Sequence, residues 1–253
     1  MIICEIGLNH LGKVDYAEEY VNKIIELKPD GITFYVGDKN FYSNPKFSNY
    51  KLPDNFYEKI IPKIHENKIK FGVMISDIAK IDFFENLKID FYKVFSNDIL
   101  NFDLISKMKS TKKPIFVSTG MSDLNEIQKM VSFISDSKEQ FTLIHTQLNQ
   151  KINSVNLKAI NLLKHSFNLP VAFGNHSENL NVIYVSLAFE PSDVFFYIKG
   201  ERNYVHPDEE HAVAFSSLNS IIDNLRNLPK SIGAEIKVKS NNEIVEKMTQ
   251  NSL

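Results

Sequence analysis

Glu5, Asn9 and His10 sit together in the run Cys4-Glu5-Ile6-Gly7-Leu8-Asn9-His10, whose remaining members are small or apolar. A carboxylate in such a run is costly to bury unless a cation or hydrogen-bond donors meet it, which makes Glu5 a candidate for ligand or catalytic work. Lys93 interrupts Phe91-Tyr92-Lys93-Val94-Phe95, with Ser96 and Asp98 just beyond. A buried lysine pairs either with a carboxylate, as a structural ion pair, or with an anionic ligand. Ser118, Thr119 and Gly120 follow Pro114-Ile115-Phe116-Val117. Their hydroxyls and amides suit a phosphate or carboxylate at a helix N-terminus, or simply cap that helix. His145 and His176 each close an apolar run. Two imidazoles approaching across a site bind a transition metal; the alternative is two hydrogen-bonded histidines. His206 and His211 lie in Tyr204-Val205-His206-Pro207-Asp208-Glu209-Glu210-His211, without a spacing specific for metal. The chain has no glycine-rich phosphate loop, paired-cysteine zinc motif, G-x-S-x-G elbow or H-E-x-x-H helix.

The elements that must position these groups alternate. Short β-branched or aromatic runs predict strands at Ile2–Ile6, Gly31–Tyr35, Phe71–Ile75, Phe91–Val94, Pro114–Ser118, Phe141–His145, Val171–Phe173 and Val194–Ile198. Amphipathic stretches predict helices over Asp15–Leu27, Asn55–Asn67, Ile78–Leu87, Asp103–Lys109, Leu124–Asp136, Asn156–Phe167, Leu180–Phe189 and Ala214–Asn227. Near-continuous apolar strands, each followed by a helix, predict an α/β protein with a covered parallel sheet. Eight such units close as a (β/α)8 TIM barrel, an open doubly wound sheet being the alternative. The polar residues above then collect at the C-terminal ends of the strands, where barrels of this kind build active sites. The irregular stretch Gly37 to Pro53 carries Phe41, Tyr42, Phe47 and Tyr50 and reads as an ordered loop over the mouth, either a substrate lid or a surface loop pinned by its aromatics. Beyond Asn227 there remain Ser231–Lys239 and a short polar helix near Asn242–Gln250, so residues 1–253 are expected to form a single domain.

Composition narrows the functional class. The 29 basic and 31 acidic residues leave a net charge of −2, giving no overall field to draw nucleic acid or an anionic membrane. No apolar run approaches the roughly 18 residues that a spanning helix needs. The one cysteine, Cys4, excludes an internal disulfide, and no signal peptide is evident, so a cytoplasmic protein is expected.

Read in order, EIGLNHLG at Glu5–Gly12, YKVFSND at Tyr92–Asp98, KPIFVSTGMSDLNEI at Lys113–Ile127, LIHT at Leu143–Thr146, VNLKAI at Val155–Ile160, FGNHS at Phe173–Ser177 and SIGAEIKV at Ser231–Val238 resemble the sialic acid synthase family, collinearly over almost the whole chain. The resemblance implies condensation of phosphoenolpyruvate with an N-acyl hexosamine to a nonulosonic acid, for surface carbohydrate biosynthesis. It also implies a divalent metal, manganese or magnesium, that polarises the sugar aldehyde, and a homodimer. By position, Glu5 is similar to the family's active-site carboxylate, Lys93, Ser96 and Ser118 to groups that hold phosphoenolpyruvate, and His176 to one of two metal-binding histidines. Asp98 matches an acidic position facing the substrates, with Asn9 and His10 lining the same pocket; Thr119 and His145 complete the substrate-binding set.

The sequence also departs from the family. Tyr197, in Phe195-Phe196-Tyr197, stands where the second metal histidine is expected, and a neutral phenol is a poor manganese ligand. Thr33 and Tyr35 replace a lysine and a glutamine on the second strand, and Gly174 and Asn175 replace a serine and an aspartate. The antifreeze-like C-terminal domain common in the family is not expected here. These features leave three readings: a divergent synthase, a catalytically inactive barrel that binds a sugar or regulates a partner, and a barrel with metal-independent aldol or isomerase chemistry.

Overall fold

The computed structural model describes residues 1–233. Eight parallel strands, β1 (Ile2–Gly7), β2 (Gly31–Val36), β3 (Lys70–Ile75), β4 (Phe91–Val94), β5 (Ile115–Ser118), β6 (Phe141–His145), β7 (Val171–Asn175) and β8 (Val194–Lys199), pair in sequence order. β1 pairs in turn with β8, in the register Ile3↔Phe195 and Glu5↔Tyr197, and the sheet closes as a (β/α)8 barrel. At the seam the Met1 ammonium donates to Asp193 Oδ1 at 2.9 Å.

The helices α1 (Val14–Leu27), α2 (Lys39–Ser43), α3 (Asp54–Glu66), α4 (Ile81–Asn86), α5 (Phe102–Ser110), α6 (Leu124–Phe133), α7 (Ala159–Phe167), α8 (Asn181–Ser186) and α9 (Phe215–Asn227) follow from local signals. On α1, Tyr16, Tyr20 and Ile24 recur at helical spacing and are fully buried against the barrel. The first turn of α6 is fixed by a capping box in which Asp123 and Glu126 satisfy each other's backbone amides.

Several boundaries move for local reasons. β5 starts at Ile115, after Pro114, which has no amide to donate. Asn156 adopts φ 47°, so α7 begins at Ala159. Ile78–Lys80 forms a 3-10 turn capped by Asp77 ahead of α4, and the stretch Gly37 to Pro53 contains α2, capped by Asp38. A two-residue strand, β9 (Val213–Ala214), pairs in parallel with the end of β8 and has no counterpart among the strands that the sequence predicts. Of Ser231–Lys239 only Ser231, Ile232 and Gly233 are described, and the helix expected near Asn242–Gln250 lies outside the described residues. No described helix is long and apolar enough to cross a membrane.

Inside the barrel, Ile3, Phe91, Phe116, Ile144, Ala172 and Phe195 form an apolar plug separate from the larger core between strands and helices. Phe116 meets Phe91 and Phe195 edge to face, with ring centres 5.4 and 5.0 Å apart. Side chains alternate across a strand, so two residues further on the same inward face carries Glu5, Lys93 and Tyr197. The plug seals one end of the barrel and raises the polar groups toward the other.

Candidate active site

Glu5 and Lys93 meet above the plug. Lys93 Nζ donates to Glu5 Oε1, and the two residues are only 4% and 1% exposed. Thr33 Oγ1 approaches the same carboxylate oxygen at 3.5 Å, while the ammonium lies 5.3 Å from the Phe195 ring centre and 6.0 Å from that of Tyr197. Such a pair persists because separating it leaves a bare charge in a low-dielectric interior.

One flank is lined with hydroxyls. Ser96 Oγ and Ser118 Oγ lie 2.8 Å apart, and Thr146 Oγ1 is buried without a protein partner. Asp98 turns to the cavity rim, accepting from Ser76 Oγ at 3.0 Å and from Asn101 at 3.3 Å.

The opposite flank comes from β7, β8 and the loop after β8. His176 and His211 stack with ring centres 4.7 Å apart, and Tyr197 stands 5.3 Å from the first and 5.2 Å from the second. Burial pushes His176 down to about 3, helped by His211 and Lys93, and burial alone pushes His211 down to about 4. Both imidazoles are therefore neutral near pH 7, and His211 Nε2 has no hydrogen-bond partner. Asp208 Oδ1 lies 3.6 Å from that nitrogen. Burial, with the negative charge of Glu5 and against the pull of Lys93, raises Asp208 to about 7. The Tyr197 phenol is pushed far above the ordinary tyrosine range by burial first and then by Glu5 and Asp208, so it stays protonated.

The loop carrying Asp208 is clamped from below. Asn9 Nδ2 donates to the Ile198 carbonyl at 2.8 Å, and Asn9 Oδ1 accepts from the Asp208 amide at 3.1 Å. Arg202 bonds Glu19 and Asp15, and His206 bonds Tyr16 at 2.7 Å and Glu209 at 2.9 Å. Gly7 has φ 55°, and a Cβ there would fall 2.6 Å from the Tyr197 ring and 3.1 Å from Asp208 Oδ2. A side chain at position 7 would push both groups out of the mouth.

The sequence-derived set thus divides. Glu5, Lys93, Ser96, Ser118, His176 and Tyr197 are brought together, and Asp98 joins them at the rim. Asn9 supports the Asp208 loop instead of lining the pocket. His10 lies under the loop with Nδ1 accepting from the Gly12 amide at 2.9 Å, its ring 5.9 Å from Phe34 of the outer core and its pKa lowered to about 3 by burial. The Thr119 hydroxyl and amide both donate to the Ile144 carbonyl, at 2.9 and 3.1 Å, and are spent there. His145 does not face His176. Ile144 is the inward residue of β6, so His145 points outward and bonds the Val155 carbonyl at 2.8 Å. Asp208 and Thr146 were missed, although both stand in stretches the sequence singled out; no periodicity marks a loop aspartate as buried.

The NeuB family profile matches residues 35–237. Among relatives, N,N'-diacetyllegionaminic acid synthase of Campylobacter jejuni is 24% identical over 96% of this chain and 80% of its own length. N-acetylneuraminate-9-phosphate synthase of Homo sapiens is 20% identical over 93% of this chain and 72% of its own. The crystal structure of an N-acetylneuraminic acid (sialic acid) synthetase from Leptospira borgpetersenii, in complex with citrate, superposes with a TM-score of 0.88 at 20% identity, covering 100% of this chain and 91% of that one. With a match over most of its length and a barrel of the same form, the chain belongs to the NeuB family.

Proposed function

We propose that this protein is a divergent nonulosonic acid synthase that condenses phosphoenolpyruvate with an N-acyl hexosamine. The observation that carries the reading is the buried Glu5–Lys93 pair, set between the hydroxyls of Ser96, Ser118 and Thr146 on one side and Asp208 and His176 on the other. In such a reaction the methylene carbon of phosphoenolpyruvate bonds to the sugar's aldehyde carbon, water adds to the former enol carbon, and phosphate leaves. Lys93 exchanges Glu5 for the donor's anionic groups, and the hydroxyl flank supplies hydrogen bonds to the same anion. Glu5, released from the lysine, holds its charge beside the carbon that becomes electron-poor as the donor reacts. Asp208, titrating near neutrality, is suited to pass a proton to or from a sugar oxygen.

The resemblance implies a divalent metal, and the donors here suit one. Two neutral imidazoles, one with an unpartnered buried nitrogen, stand side by side at the mouth. Tyr197 is not a ligand while its phenol keeps its proton, so His176 and His211 would hold the ion. Among the described residues no three His, Cys, Asp or Glu side chains converge on one point, so His176 and His211 would be the protein's share of such a site. When bound, the ion polarises the sugar aldehyde.

A second reading, a sugar-binding barrel without turnover, is favoured by Thr33 and Tyr35 on β2, where the family resemblance expects a lysine and a glutamine. The experiment that separates the two is phosphate release from phosphoenolpyruvate with manganese and a panel of N-acyl hexosamines, in wild type and Glu5→Gln. Release that depends on Glu5 supports the synthase. Sugar binding without release by any member of the panel selects the second reading.

A further inference from the structure

Outside the barrel mouth, a separate cavity of about 350 Å3 lies behind the loop that follows β2, between the N-terminus of α3 and the 3-10 turn that leads into α4. α2 divides it from the mouth: Phe41 lines the mouth, whereas Lys39, Tyr42 and Ser43 line this cavity. None of Glu5, Lys93, Ser96, Ser118 and His176 borders it. Pro53 stands at the N-cap of α3 and offers no acceptor, so the first turn of this 13-residue helix has no side-chain cap on its amides. Tyr57, the fourth residue of α3, leans back over that turn as helical side chains do. Its ring is fixed by Phe34, Phe56 and Phe84, with ring centres 6.0, 5.3 and 5.2 Å away. The residue is 4% exposed and lines the cavity, yet among the described residues its hydroxyl has no hydrogen-bond partner. Burial pushes the phenol well above the ordinary tyrosine range, so the hydroxyl keeps its proton as a donor.

The charges around the cavity are unevenly spent. Each of its three carboxylates is engaged: Asp38 accepts from the Phe41 amide at 2.7 Å, Asp77 from the Ala79 amide at 3.0 Å, and Asp54 pairs with Lys80. Lys39 and Lys51 also line the cavity, and among the described residues neither is paired with a carboxylate; Lys51 lies only over the Tyr42 ring, 5.7 Å from its centre. An anion placed here meets two ammonium groups, a buried hydroxyl donor and the positive end of a helix. Leu52 and Phe84 supply an apolar wall beside them. We propose that this cavity binds a small phosphate monoester, its phosphate held by Lys39, Lys51, the Tyr57 hydroxyl and the first-turn amides of α3, and its apolar body set against Leu52 and Phe84. None of these groups takes part in the proposed condensation, so the site stands whether or not the barrel carries that reaction out.

The test is calorimetric titration of the full chain at pH 8 with phenyl phosphate, inorganic phosphate and benzyl alcohol, while amide spectra of the 15N-labelled protein place the bound probe. Phenyl phosphate is expected to shift the Asp54 and Asn55 amides saturably and to bind about tenfold more tightly than either of the others. Equal affinity for inorganic phosphate assigns the site to the free anion and overturns the apolar seat. Removing both Lys39 and Lys51 by substitution with Ala is expected to weaken phenyl phosphate by about tenfold or more. Tyr57→Phe, which keeps the ring and its packing, is expected to weaken it by about threefold or more. Ser118→Ala, at the mouth, should leave this affinity unchanged. Absence of binding, unchanged affinity in the lysine double variant or in Tyr57→Phe, or binding that is lost in Ser118→Ala and never shifts Asp54 and Asn55, overturns the proposal.

Discussion

Breaking the Glu5–Lys93 pair is the perturbation with the largest consequence that can be worked from the structure. Both partners are almost fully buried, at 1% and 4% exposure, and the ammonium's other close neighbours are the aromatic faces of Phe195 and Tyr197. Lys93→Met leaves Glu5 with only a long contact from Thr33, an uncompensated charge in an almost fully buried position. Removing one partner of a buried pair costs about 3–5 kcal/mol, whereas removing both and filling the space is nearly neutral. Glu5→Gln and Lys93→Met are therefore each expected to lower stability by about 3–5 kcal/mol, roughly 10 °C in Tm for a chain of this size. The double variant is expected to recover most of that loss. Urea unfolding of all four proteins gives the coupling energy directly. Additive single losses, with coupling below about 0.5 kcal/mol, would refute the argument that the pair is held by mutual neutralisation. On the synthase reading all three variants should lack turnover, so stability and activity part company in the double variant.

Further outcomes follow from the flanks. Tyr197→His places a third imidazole beside His176 and His211 and should raise manganese affinity at least tenfold by paramagnetic titration, while His176→Ala should abolish it. Asn9→Ala removes the bonds to Ile198 and Asp208 and should cost about 1–3 kcal/mol, with the 201–212 loop showing faster amide exchange. His10, His176 and His211 all have folded pKa values below the unfolded one, so the unfolded chain binds more protons between about 6.5 and 3. Their stabilising contribution is complete above 6.5 and is lost as pH falls, at roughly 1.4 kcal/mol per pH unit for each fully buried ring. Asp208, raised to about 7, opposes this between roughly pH 4 and 7. Denaturation midpoints measured from pH 7 to 4 should therefore fall, and fall less steeply in His10→Phe.

The barrel was legible because its strands are short apolar runs separated by helices with clear buried faces, such as Tyr16, Tyr20 and Ile24 on α1. Glu5 and Lys93 were legible for the converse reason, each being the lone charge in such a run. What the runs hide is parity. In β6, Leu143, Ile144 and His145 are all buried, so nothing in the sequence marks Ile144 as inward and His145 as outward. The same ambiguity holds in β8, where Phe195, Phe196 and Tyr197 are all buried and only the pairing of Tyr197 with Glu5 marks its inward side. Asp208 escaped because its burial is produced by distant partners, Asn9 and Gly7, that no local pattern connects to it.

The seam between β1 and β8 also sets when the site comes into being. The bonds that close it and lock the loop above it join Met1 to Asp193 and Asn9 to Asp208, separations of 192 and 199 residues. At synthesis rates of roughly 5–20 residues per second, the first strand emerges some ten to forty seconds before its last partner. Throughout that interval β1 has an unpaired edge and a sequence, Ile2-Ile3-Cys4-Glu5-Ile6, made to be enclosed on both faces. A nascent chain that ends before Asp208 carries most of the site's residues but not the loop that Asn9 holds in place, so the site stays incomplete until that loop is made. The nascent barrel is thus at its most aggregation-prone while its site is incomplete, and the closing step completes the site and covers the edge together.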